Sequence, residues 1–150
     1  MQKYDMKKLL ITLLCLSFFS NAEERMTPLI NMAVDENWWN NEKNVLYLME
    51  RCLAVNSILS IEDPIGRDKR KDWFRILSID LFNSIYKSTK PRDENEVNNL
   101  IMERSGEMFL LYLSYMKEDY LSMGNQYGDP LAGDIAVCDE IYNGGKELNN

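Results

Sequence analysis

The chain has 150 residues, 17 basic and 24 acidic side chains, a net charge of −7 and no histidine. That length suits one domain, and the acidic balance argues against nucleic-acid or anionic-lipid partners, which bind basic surfaces. The missing histidine removes the commonest general base, the commonest zinc ligand and every Ser-His-Asp or Cys-His arrangement.

Residues 1–22 read as a cleavable signal peptide. Lys3, Lys7 and Lys8 form a basic start, Leu9 to Phe19 an apolar run broken only by Thr12 and Ser17, and Ser20-Asn21-Ala22 a small-residue cleavage site. The apolar run is about half the length of a bilayer span, so a signal is expected and stable membrane insertion after cleavage is not. Leu14 precedes Cys15 where lipoprotein processing wants a small residue. The mature protein is therefore expected in the periplasm or outside the cell. Cys15 leaves with the signal, and Cys52 and Cys138 remain as the pair expected to form a disulfide. Their wide separation is unlike the compact Cys-x-x-Cys of a redox site.

Residues 23–40 form a polar lead-in or short helix ending in the aromatic anchor Trp38-Trp39. A first long helix is expected over about 41–60, where Val45, Leu48, Met49, Cys52, Val55, Ile58 and Leu59 recur at three-and-four spacing. Asn40 or Asn41 can cap it. Pro64 and Gly66 mark a loop, and Arg67 to Lys71 a solvated basic linker. A second helix over about 69–87 carries Trp73, Phe74, Ile76, Leu77, Ile79, Leu81, Phe82 and Ile85, which predicts a central position. Ser88 to Pro91 should end it.

The third helix is expected to start at Asp93, with Glu96 completing a capping box, and to stop at Gly124. Ser105-Gly106 is a point where it could kink or split. From Met108 to Met116 only Ser114 is polar, which predicts burial on nearly all sides. A fourth helix should have Asp129 as its cap and Pro130 at its first position, and end at Gly144-Gly145, leaving residues 146–150 as a frayed tail. The expected architecture is all-α: one domain over 41–145, about four helices, stapled by one disulfide.

The remaining chemistry is that of carboxylates. Glu103 and Glu107 lie one turn apart beside the apolar stripe of the third helix, and Asp80 lies similarly on the second. Antiparallel packing could bring the three into one cleft with Arg75 or Arg104, a set suited to glycoside hydrolysis. Pairing with an arginine or with solvent at the rim is the simpler explanation, so no catalytic assignment is made. Capping and the helix dipole account for Asp129 and Asp134 without a ligand. No phosphate loop, calcium loop, metal-ligand cluster or cofactor motif is present. The leading expectation is a non-catalytic exported module that binds another protein. The alternatives are a small polysaccharide hydrolase using Asp80, Glu103 or Glu107, and a periplasmic chaperone opened by acid.

Overall fold

The computed structural model describes residues 25–32, 34, 36–87 and 93–147. The expected signal peptide with Cys15, the Ser88–Pro91 terminator and residues 148–150 lie outside them. The described chain is all-helical, with six helices where about four were expected: α1 (Leu29–Met32), α2 (Glu36–Trp39), α3 (Glu42–Leu59), α4 (Pro64–Ile85), α5 (Glu94–Met123) and α6 (Leu131–Glu147). The four longer helices correspond to those expected, and α1 and α2 are single turns within the lead-in. None of the described helices is long and apolar enough to cross a membrane.

The central helix is α3, not the second long helix. Every residue from Leu48 to Asn56 is buried, and α3 touches α2, α4, α5 and α6. Asn41 caps it, its side chain accepting from Lys43 N at 3.0 Å. On α4 only Phe74, Ser78, Ile79 and Phe82 are buried, and Ile76 is exposed. The broad apolar stripe of α4 is thus only half used.

Helix α4 begins earlier than expected, because Pro64 sits in its first turn and Asp63 caps it, accepting from Gly66 N at 3.3 Å. The basic run is therefore helical. Arg67 Nη1 lies 2.5 Å from Asp139 Oδ1, and Arg70 pairs with the same carboxylate, fastening α4 to α6. At the other boundary, α5 is capped by Asp93 without the expected side-chain hydrogen bond. The Asp93 carboxylate instead accepts from Asn95 Nδ2 at 3.4 Å.

Helix α5 runs unbroken through Ser105-Gly106 for 30 residues, about 45 Å. Gly124 ends it in the left-handed region, φ 69°. The stretch Met108–Met116 is not buried on all sides, since Leu110 is 65% exposed. Helix α6 starts at Leu131, after a cis Asp129–Pro130 bond, so Asp129 is not its cap residue. It also passes through Gly144-Gly145 to Glu147. Gly145 is a close-approach residue rather than a stop: a Cβ there would lie 2.6 Å from the Trp73 ring on α4.

The Cys52–Cys138 disulfide forms, joining the middle of α3 to the middle of α6 with 5.4 Å between Cα atoms. Closing an 86-residue separation stabilises the fold by about 4–5 kcal/mol in the loop-entropy picture.

Candidate functional site

Beside the disulfide is a buried polar cluster. Arg51 precedes Cys52 on α3, and Asp134 lies one turn before Cys138 in the first turn of α6, where the helix dipole favours an acid. Both are fully buried, as is Tyr112 of α5. The Arg51 guanidinium pairs with Asp134, Tyr112 Oη donates to the same carboxylate, and Arg51 Nε donates to Tyr112 Oη at 3.0 Å.

The same groups hold the N-terminal strap. Arg51 Nη1 donates to Thr27 O at 2.7 Å, and Leu29 N donates to Asp134 Oδ1 at 2.7 Å. Nearby, Met26 N donates to Tyr115 Oη at 3.2 Å, and Arg25 lies 2.7 Å from Asp119 Oδ1. Burial, reinforced by the Asp134 charge, drives the Tyr112 pKa well above the usual phenol value. For Arg51, burial acts to lower the pKa, but Tyr112, Asp134 and Tyr47 together outweigh it and leave it raised. Arg51 thus stays charged and Tyr112 neutral. The cluster has its hydrogen bonds filled by protein groups, which makes it a structural keystone rather than a reactive centre.

Next to Arg51 on α3, Glu50 is fully buried against Arg104 of α5, whose Nη2 lies 2.8 Å from Oε2. The guanidinium lies off the line of a hydrogen bond, so neither Glu50 oxygen has a hydrogen-bond partner among the described residues. Burial, opposed by the Arg104 charge, pushes the Glu50 pKa up to about 7. Glu50 was not among the residues expected from the sequence. Its position inside an apolar stripe, directly between Met49 and Arg51, was the available signal.

The three acids considered for catalysis are placed differently from expectation. Asp80, Glu103 and Glu107 are all exposed. Arg104 pairs with Glu50, and Arg75 donates to Asn98 Oδ1 at 3.0 Å, so neither arginine organises them. Helix rotation explains Glu103 and Glu107. The buried face of α5 follows Val97, Ile101, Ser105, Tyr112 and Asp119, and both glutamates fall on the opposite half. Among the described residues, no three acids or cysteines gather in a way that could hold a metal.

The molecule does present an open apolar groove of about 370 Å³, lined by Ile30, Val34, Trp39, Val137, Glu140 and Ile141. Val34 is 78% exposed, Ile30 55% and Trp39 42%. Trp39 packs edge-on against Trp38, with ring centroids 5.3 Å apart. Trp38 is half-buried against the core. One tryptophan of the pair anchors the lead-in, and the other forms a wall of the groove. Glu140 supplies its one charge. Comparison with protein-family models, curated proteins and solved structures finds no match for this chain.

Proposed function

We propose that this chain is an exported, non-catalytic helical module that binds another protein, and that the groove between α1, α2 and α6 is where it does so. The observation that carries this reading is the exposure of Ile30, Val34 and Trp39 together around a concave apolar surface. Large apolar side chains gathered at a cavity of a few hundred Å³ suit an inserted side chain. Glu140 at the groove and the net charge of −7 favour a partner segment that pairs an apolar anchor with an adjacent lysine or arginine. The Cys52–Cys138 disulfide supports export to an oxidising compartment.

The test is capture from envelope extract by the oxidised protein, compared with a Val34→Asp/Ile30→Asp double variant. Each side chain contributes about 1.5 kcal/mol when buried by a partner, so the double variant should bind at least a hundredfold more weakly. Both positions are exposed, so the variant should melt as wild type does. The bound segment, mapped by crosslinking, should carry an apolar residue beside a basic one. Capture unaffected by the double variant, or turnover of a polysaccharide abolished by replacing Asp80, Glu103 or Glu107, would overturn the reading.

A further inference from the structure

Helix α5 carries a second apolar face. Its inner face is used by the bundle, through Ile101, Ser105, Tyr112 and Asp119. On the outer side Met102, Gly106, Phe109, Leu113, Met116 and Tyr120 recur at alternating spacings of four and three, the heptad repeat of a two-helix seam. Met102 and Tyr120 are exposed, and Leu110 and Leu121 beside them are 65% and 75% exposed. Phe109, Leu113 and Met116 are half-buried, Phe109 and Met116 lying at the edge of the core and packing partly against it. Gly106, in the middle of a helix where glycine is unfavourable, has no atom within 4 Å of where a Cβ would stand. That open position leaves room for close approach by a second helix.

We infer that two copies of this chain pair through this face of α5, with the helices antiparallel about Leu110. Charge selects both the occupant and the orientation. Glu103 and Lys117 occupy the same flanking position two heptads apart, with Leu110 midway between them. Antiparallel copies set Glu103 of each against Lys117 of the other, twice, and Leu110 against Leu110. In parallel copies this flanking position faces the opposite flank of the partner helix, so Glu103 and Lys117 would meet neither each other nor any opposite charge. Across the seam the antiparallel register sets Gly106 beside Met116, Met102 beside Tyr120 and Phe109 beside Leu113, so each glycine admits a methionine of the other copy. A two-fold axis makes the surface self-complementary and closes the assembly at two. The seam is roughly 27 Å long. No residue of the groove belongs to α5, so this pairing stands or falls independently of the proposed partner.

Sedimentation equilibrium of the oxidised, exported protein across the micromolar range tests it. The wild type should be a reversible dimer, and Leu110→Asp, at an exposed position, should be a monomer with an unchanged melting curve. Glu103→Lys and Lys117→Glu should each weaken dimerisation about tenfold, since each turns two attractions into two repulsions. The double exchange Glu103→Lys/Lys117→Glu should restore it. A wild-type monomer at every concentration would overturn the inference, whether the face is left open or crosslinks to the chain's own N-terminal residues or to the groove's partner. So would a dimer indifferent to Leu110→Asp, and single reversals without effect would overturn the antiparallel register.

Discussion

Adjacent residues on α3 carry buried charges to different partners. Arg51 reaches α6 and meets Asp134, Tyr112 and the backbone of the N-terminal strap. Glu50 reaches α5 and pairs with Arg104, and neither of its oxygens has a hydrogen bond among the described residues. Both charges are fully desolvated, yet only one has its bonding capacity filled. Burial therefore does not by itself decide whether an ion pair stabilises the fold. A filled network holds three helices and a strap in register, while an unfilled one leaves a carboxyl that takes up a proton near neutrality.

Removing Asp134 should have the largest effect. Asp134→Ala leaves Arg51 charged and buried and also takes the acceptor from Leu29 N, so it should destabilise the protein by about 3–5 kcal/mol in urea unfolding. Arg51→Met combined with Asp134→Leu should recover only part of this, because Thr27 O, Leu29 N–H and Tyr112 Oη then lack partners. Full recovery would show that the network adds nothing beyond its charges.

Glu50 should behave in the opposite sense. Its pKa in the folded protein is about 7, against an ordinary value of 4.5. Between those values the folded state holds a proton that the unfolded state has lost, so stability falls as pH rises through the window. Glu50→Gln should abolish that slope and stabilise the protein above pH 7, by at most about 3 kcal/mol, with no gain below about pH 4.5. Arg104 is the partially exposed partner, its side chain 37% accessible, and water can replace Glu50 there. A wild-type profile flat across the window would mean that Glu50 is better solvated or better bonded than its geometry shows.

The parts of the fold set by local periodicity were readable in the sequence. Asn41, Gly124 and the apolar spacing of 45–59 located two helices closely, and setting Cys15 aside with the expected signal left one cysteine pairing to choose. Less was readable where the outcome depends on a neighbouring helix. Gly145 looked like a stop because its role is to admit Trp73 from another helix. Pro64 looked like a loop residue because a proline in a first turn depends on the cap before it. Met108–Met116 was expected to be buried all round because apolar residues do surround that stretch, but the bundle covers only one side. The candidate acids failed for a related reason: Glu103 and Glu107 lie close to core residues in sequence, but the helical repeat puts them on the half of α5 opposite its buried face. Asp134 satisfied a local rule as a first-turn acid, and that rule concealed its long-range bond to Arg51.

The α4–α6 contact extends the comparison to the surface and gives the smallest expected effect. Arg67 and Arg70 share Asp139, with side-chain exposures of 19%, 24% and 31%. Water reaches all three groups, so desolvation is modest and the attraction is screened. Asp139→Asn should therefore cost only about 1 kcal/mol or less, and the loss should shrink as salt is raised. The Asp134→Ala loss should stay nearly constant over the same salt series, because the Arg51–Asp134 pair is closed to ions. Measured together by urea unfolding, the two variants separate burial from charge. A salt-sensitive Asp134 effect would mean that the strap over Arg51 opens to solvent, and the keystone would then depend on the strap rather than hold it.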